Sequence, residues 1–442
     1  MSNIVNVTVS VQQGATPSTL QATGAIVSQG GTTKAQGSLT LLQSTSSLTS
    51  LLTGSQAITA LSASGTAPNI TVTATVSGGH GYPVSGSETE QLTIAGAVGS
   101  IVPGGYNGTF ACTITSTTQF TYPLTVAPGT ATITSAVVTN YDVAELVNQV
   151  AYYFAQGGSN GIYVLELGAG DPAQGVTALS AWITANPATV YSYLLPLFWD
   201  AEPTFITFAR LYTSQNAETY FYLPVSSATW ATYTGVKSVV MIAISPNAAS
   251  TEFPAANVFA IPLNFSPSVI NKVPTGAYQF LYGPTPWPVN SSSIPTMETA
   301  FVNYAASGAE GGITNVILKK GVYADGTQLN HWYAVDWLHI NVQLQLANAI
   351  INGANNRVNP LYYNQAGINT LQSVAQSVVN QAVSYGLFGG SPQVQAIPYL
   401  TYTAAFPNDY SNGVYNGLSV TVSTQQGFLT ITFAVVISTL AP

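Results

Sequence analysis

Residues 428–438 read FLTITFAVVIS, an uncharged, proline-free run of β-branched and aromatic side chains close to the end of the chain. In an extended strand Phe428, Thr430 and Thr432 face one way, and Leu429, Ile431 and Phe433 the other. From Ala434 onward both faces are apolar, with Val435 and Val436 on opposite sides. Such a strand requires cover on both faces. Left as a free, flat edge it would be an aggregation hazard, so it must be hidden or used. Its counterpart lies at the other end, where Ile4, Val5, Val7, Val9 and Val11 alternate with Asn6, Thr8 and Ser10. Polar linkers, 12–19 and 419–426, adjoin the two runs. Terminal strands on such linkers suit exchange between subunits, with backbone hydrogen bonds giving affinity and alternate side chains giving register. Pairing of both strands inside their own monomer is the competing reading.

Composition favours burial against partners. Charged residues make up 5% of the chain, with seven Lys plus Arg and a net charge of −8, where ordinary soluble proteins carry roughly 25%. Interface cores are depleted in charge and enriched in aromatic residues, and this chain has 25 tyrosines. So few cations exclude a nucleic-acid-binding role. No apolar run approaches the roughly 18 residues of a membrane-spanning helix, so no membrane insertion is expected. The first residues lack the basic-then-apolar pattern of a secretory signal, and none is expected. The lone Cys112 cannot form an internal disulfide and, in a strand-like run, reads as a small buried hydrophobe.

The 442 residues divide by pattern into an N-terminal strand and linker (1–12), the first part of an α/β core (13–66), an all-β module (67–138), a middle α/β region (139–330) and a C-terminal region with the last strand (331–442). In the module, alternating runs such as Ile70-Thr71-Val72-Thr73 are separated by Gly78-Gly79, Gly104-Gly105, Asn107-Gly108 and Pro128-Gly129. That spacing indicates a β-sandwich, with Phe110, Phe120 and Tyr122 in its core and Asn107-Gly108 supplying a positive-φ turn. His80 falls in a glycine-rich turn and reads as structural. Beyond the module, Asp142 and Glu145 have capping-box spacing. Val143, Leu146, Val147 and Val150 then follow helical spacing up to Gly157-Gly158, and a strand is expected over 161–167. The runs 191–197, 204–210, 217–223 and 236–244 read as strands of a layered sheet. A polar helix or loop precedes a strand at 313–318. Asp336 is the expected cap of a helix that stops at Gly353. A second long helix carries Leu371, Val374, Ala375, Val378 and Ala382 on one face and ends at Gly386.

Nothing in the sequence has the spacing of an active site. No GxSxG nucleophile elbow, with a strand before it and a helix after, is expected, and GxxxxGK and HExxH patterns are absent. His331, Asp336 and His339 do not complete a metal-ligand set. Asp200 and Glu202 flank Phe198-Trp199 and could be drawn as the acidic pair of a sugar cleft, but a turn after a buried strand explains them more simply. Neither catalysis nor a cofactor is expected.

Two stretches carry a family resemblance. HGYPVSGSETEQLTIAGA…GYNGTFACTITSTTQFTYPL, within 80–124, resembles the Ig-like modules inserted into phage structural proteins. YYFAQGGSNGIYVLEL, 152–167, resembles the matching segment of contractile-tail sheath proteins of tailed bacteriophages (myovirus type) and related injection machines. The later order is also similar to theirs: a helix beginning Asp336-Trp337-Leu338, the link Asn359-Pro360-Leu361-Tyr362-Tyr363, the helix start Ala366-Gly367-Ile368, a long helix, then terminal strands. The resemblance covers about 142 to the end, plus the first strand.

It implies an α/β (α+β) layered sheath core with an inserted all-β Ig-like sandwich on the outer surface and terminal strands exchanged between subunits. The strand residues would be Ile4, Val5, Val7, Val9 and Val11, with Phe428, Leu429, Ile431, Phe433, Val435 and Val436. It also implies six-membered rings of this chain stacked around a tail tube protein, with baseplate and tail terminator proteins as further partners, in a virion tail assembled in the host cytoplasm. Contraction would be a nucleotide-free switch between two packings. Lys319, Lys320 and Arg357 are the candidates to face an acidic tube, although the low charge departs from the family's charged tube contacts. The alternative is a secreted or surface adhesin or S-layer-like protein with an Ig-like module. The helices expected at 142–156 and 336–385 and the lack of a signal count against it.

Overall fold

The computed structural model describes residues 17–77, 89–308 and 314–429. They form two compact units. The larger takes 20–266, 273–333 and the described residues after 425; the smaller takes 267–272, 334–425 and the described residues before 20.

The larger unit begins with β1 (Gly24–Ser28), buried at every residue, and β2 (Leu39–Leu42). The chain then leaves for an all-β lobe: β3 (Gln56–Thr66), β4 (Asn69–Val76), β5 (Thr89–Ala95), β6 (Val98–Gly99), β7 (Gly108–Ser116), β8 (Gln119–Leu124), β9 (Ala131–Thr132) and β10 (Val137–Asn140). Among the described residues six of these close into one antiparallel barrel in the order β10-β3-β4-β8-β7-β5, with β5 pairing back to β10. Along β4, Ile70, Val72, Ala74 and Val76 point inward. Val72, Ala74 and Val76 meet Leu92, Ile94, Cys112, Ile114, Phe120, Tyr122 and Val138. Half-buried Phe110 stacks on Tyr122 at 4.6 Å. Cys112 is fully buried, as a small hydrophobe would be.

The barrel corrects the expected sandwich. Its strands make a single closed ring, and that ring includes Gln56–Thr66, ahead of the expected start at 67. β3 is the closing strand, paired to β4 on one side and β10 on the other. Closure removes free edges altogether. His80 lies outside the described residues.

From the barrel the chain returns through α1 (Tyr141–Ala155) to β11 (Ile162–Glu166), α2 (Pro172–Ala185), β12 (Ser192–Leu194), α3 (Pro203–Arg210), β13 (Tyr220–Val225), β14 (Val239–Ala243), α4 (Pro254–Leu263), β15 (Phe280–Leu281), α5 (Ile294–Thr299), β16 (Asn303–Ser307) and β17 (Val316–Lys319). Among the described residues the sheet has nine strands in the order β15-β17-β16-β14-β13-β12-β1-β11-β2. The run from β16 to β11 is parallel, and β15, β17 and β2 are antiparallel to their neighbours. Val176, Leu179, Phe205 and Phe208 of α2 and α3 cover one face, over Val27, Leu165, Tyr193, Phe221 and Met241. Leu146, Val150 and Tyr153 of α1 and Phe259 and Leu263 of α4 cover the other, over Ile26, Val164, Leu194, Tyr222 and Ile242. A parallel sheet buried on both faces needs such continuous apolar strands.

Three local expectations change. Residues 204–210 are helical: Pro203 takes the first helical position, the Glu202 carboxylate accepts the Thr204 N–H at 3.0 Å, and Phe205, Phe208 and Ala209 bury one stripe. Residues 303–307 are a strand, so that region contributes two strands and not a helix or loop with one. The cap of α1 is Asn140, whose side chain accepts the Asp142 N–H at 2.8 Å, while Glu145 is buried on the inner face.

In the smaller unit, α6 (Leu329–Asn355) runs past both expected boundaries, its first residues belonging to the larger unit. Asp336 sits buried inside the helix, well past its start at Leu329. Gly353 is also internal: a Cβ there would come within 2.5 Å of Leu361 Cβ, so glycine admits the returning chain. α7 (Gln365–Ser384) is capped by Asn364, which accepts the Gly367 N–H at 2.9 Å, and the chain turns at Gly386 with φ 77°. After it come β18 (Phe388–Gly389), β19 (Gln395–Ala396), α8 (Tyr399–Ala405), α9 (Pro407–Ser411), β20 (Leu418–Ser419) and β21 (Ser423–Thr424), pairing as β18 with β21 and β19 with β20.

Candidate functional site

A sheet of this topology offers a ligand crevice where strand order reverses, beyond the carboxyl ends of the strands. Here that place lies at β1, whose neighbours are β11 and β12. The chain fills it with its own groups. The buried Glu166 carboxylate, at the end of β11, accepts the Gly30 N–H at 2.7 Å, the Gly168 N–H at 2.7 Å and the Thr32 N–H at 3.0 Å. The Ser28 and Thr32 hydroxyls donate to it at 2.9 and 2.8 Å. Gly30 holds φ 82°, a left-handed turn that glycine takes without strain. Converging N–H groups of this kind form an anion cradle, and Glu166 occupies it.

Gln29 locks the same corner. Its Oε1 accepts the Trp199 Nε1–H at 2.6 Å and its Nε2 donates to the Asp171 carbonyl at 2.8 Å. The imagined sugar-cleft pair is structural. Asp200 Oδ2 accepts the Ser226 N–H and the Thr229 hydroxyl, both at 2.7 Å, and Glu202 caps α3. Among the described residues no three His, Cys, Asp or Glu side chains are grouped to hold a metal ion.

The β15 edge of the sheet is closed by a side chain. Gln156 Nε2 donates to the Phe280 carbonyl at 2.7 Å, and its Oε1 accepts the Tyr282 N–H at 3.1 Å. These are the two groups, two residues apart, that an added strand would bind. Asn257 Nδ2 steadies the plug, donating to Gln156 Oε1 at 3.0 Å and to the Tyr282 carbonyl at 3.1 Å. Tyr278, Phe280 and Tyr282 remain exposed.

The C-terminal segment leaves from this corner. Gly427 is held by Gln328 through two bonds, N–H to Oε1 at 2.8 Å and carbonyl from Nε2 at 2.9 Å. The Tyr278 hydroxyl donates to the Leu429 carbonyl. Phe428 is 79% exposed, and neither it nor Leu429 lies in a strand. Ile431, Phe433, Val435 and Val436, and Ile4, Val5, Val7, Val9 and Val11, lie outside the described residues. Lys319 Nζ stands 5.3 Å from the centre of the Tyr278 ring, and Lys320 Nζ is 4.0 Å from Glu298. Arg357 is exposed on the α6–α7 connection and belongs to the smaller unit.

The sequence reading missed two surfaces of the smaller unit. A cleft of about 1090 Å³ runs between α6 and α7, with Gln345, Asn348 and Asn352 on one wall and Asn369, Ser373 and Asn380 on the other. The helical recurrence of those polar residues was the available signal. Tyr363, Tyr399, Tyr402, Tyr410 and Tyr415 form an aromatic knot, with neighbouring rings 4.7–6.1 Å apart. The Tyr402 hydroxyl donates to Asp409 at 2.6 Å and accepts the Asn416 N–H at 2.9 Å. Leu400 and Phe406 are exposed beside it.

No protein-family model matches the chain, and no curated protein matches it. Solved structures do. A chain of the anti-feeding prophage baseplate, in a six-fold symmetrised cryo-EM structure, superposes with a TM-score of 0.54 at 12% identity, covering 99% of this chain and 100% of that one. A chain of the same baseplate in its contracted state gives a TM-score of 0.51 at 11% identity, covering 99% and 98%. The sheath tail protein of Listeria innocua is similar over 84% of this chain and 88% of its own, with a TM-score of 0.43 and 10% identity. Over nearly its whole length the chain therefore has the fold of chains that build the anti-feeding prophage baseplate, in keeping with its resemblance to contractile-tail sheath proteins.

Proposed function

We propose that this chain is the structural subunit of a contractile tail sheath, polymerising as stacked six-membered rings around a tail tube and contracting to drive the tube through a host envelope. The observation that carries the reading is the end-to-end likeness of fold to baseplate chains, one of them in a contracted assembly. The self-filled crevice at Glu166 supports a structural role. So do uncharged, tyrosine-rich exposed surfaces on a chain with 5% charged residues.

In this reading the terminal runs 4–11 and 428–438 are donated between subunits. A strand of about ten residues spans roughly 33 Å and is held by ladder bonds while the rest of the subunit rotates. The inner sheet refuses such strands at β15, where Gln156 already occupies the edge, so donation is directed elsewhere. The barrel projects outward. Lys319, Lys320 and Arg357 face the tube, and baseplate and terminator proteins bound the polymer at its ends.

Electron microscopy of the purified protein over a concentration series, alone and with a co-expressed tube protein, tests the assembly. Hollow striated cylinders or six-fold rings are expected. Deleting 1–12 or 430–442 should leave a folded subunit that no longer polymerises. Cylinders of ordinary length from either truncation would rule out strand donation, and dispersed monomers even with a tube protein would rule out the sheath.

A further inference from the structure

Glu145 lies on α1 at 2% exposure, facing the segment that follows β12. Its Oε1 accepts two N–H groups, Gln149 Nε2 at 2.7 Å and the Leu197 amide at 2.8 Å. Its Oε2 has no hydrogen-bond partner, and neither does Gln149 Oε1. Two buried acceptors are thus left open on two side chains that already share one bond. Each is a desolvated acceptor with no bond to offset the loss of water. Turning the Gln149 amide over does not help, because it would set its oxygen against the carboxylate.

Among the described residues packed against α1 no cation compensates: β1, β10, α4 and the turn Thr45–Ser47 carry no ionisable side chain, the only one on β5 is Glu90, and the only one on the segment Leu197–Ala201 is Asp200. The titratable neighbours on its own helix are Asp142 and Tyr141. One added proton resolves every feature at once.

We propose that the folded subunit holds Glu145 as the neutral carboxylic acid, its Oε2–H donating to Gln149 Oε1 and closing a cyclic acid–amide pair with the Gln149 Nε2–H bond to Oε1. Burial, and then the Asp142 charge, push this carboxyl well above its ordinary range, in the same direction. The location gives the proton a task. α1 is the first element after the barrel, and its opening turns bind the body through Asn140 to the Gln29 carbonyl at 3.0 Å, Asp142 to the Gln29 N–H at 3.1 Å and Glu145 to Leu197. The protonated pair is therefore a clasp at the neck of the barrel, and ionisation opens it.

The sign follows from linkage. The folded chain retains a proton that the unfolded chain releases, so this contribution is complete below the ordinary carboxyl pKa of 4.5 and is lost as pH rises toward the raised folded value. Glu145→Gln supplies the same donor and acceptor pattern without the proton. Its unfolding equilibrium constant should match the parent's near pH 4.5. Above that the parent should become the less stable of the two by about tenfold per pH unit, until its folded pKa is reached. In infrared difference spectra of the full chain labelled with ¹³C-glutamate, a protonated side-chain carbonyl band should be present at neutral pH and absent from the variant. A constant stability ratio from about pH 5 to about pH 8, or a neutral-pH spectrum with carboxylate bands alone, would overturn the proposal and place an ionised Glu145 beside a buried water. The infrared measurement on the parent decides the matter even if the variant fails to fold.

Discussion

At the scale of the residue, side-chain amides and carboxylates do work that backbone or ligand does in other folds. Glu166 stands where a bound anion would sit, and both of its oxygens are engaged by donors. Glu166→Gln keeps the shape but turns an NH₂ toward N–H groups that need an acceptor. The expected cost is about 2–3 kcal/mol, read as a lower midpoint in urea with an unchanged slope. Gln156→Leu tests the plug on β15. It leaves the Phe280 carbonyl and Tyr282 N–H open beside exposed Tyr278 and Phe280, and an open apolar edge recruits strands. The variant should lose about 1–3 kcal/mol and, placed in the chain lacking 430–442, show concentration-dependent association in light scattering that the same truncation without the substitution lacks. Neither role was legible in the sequence. A glutamine just past a helix end and a glutamate closing an apolar strand have no spacing that announces them, because their partners are 124 and 136 residues away.

At the scale of the element, the barrel is attached through a narrow base. Gln56 at the start of β3 and Val138 near the end of β10 are register partners. Replacing 57–137 by a short Gly-Ser linker should therefore leave the α/β body folded, with an unchanged helical circular dichroism signal. Asn140, which caps α1 and binds Gln29, must be kept. Cutting at 67 should fail by contrast, since it strips β3 of β4 and leaves an orphan strand that aggregates on expression. The barrel's existence was legible because β4 alternates strictly. Its closure was not, because β3 is mostly solvent-facing and its pattern, with a bulge between Ile58 and Ala60, carries no clear period. The inner strands were legible as continuous apolar runs. Residues 204–210 were misread for the same reason: Phe, Ile, Thr and Phe satisfy a strand pattern as readily as a helical one, and only Pro203 with Glu202 decides. Asp336 misled because it resembles a cap while the helix had already begun at Leu329.

At the scale of the whole molecule, the terminal runs organised the sequence reading and lie almost wholly outside the described residues. The low charge makes a prediction that ordinary ion-paired assemblies would fail. Contacts between uncharged, hydrogen-bonding and aromatic surfaces are little screened by salt. The sedimentable fraction of polymer should change less than about twofold between roughly 0.05 M and 0.5 M salt, where the Debye length falls severalfold. A steep loss over that range would mean that the few charged groups, Lys319, Lys320 and Arg357 among them, govern assembly.

The carboxylate cradled at the mouth of the sheet has one further consequence. A ligand tethered within the chain competes at an effective concentration that a freely diffusing one rarely reaches. Phosphates and nucleotides in solution would find the seat taken at every moment. The molecule is therefore deaf to metabolic state at the one place where folds of this topology usually listen.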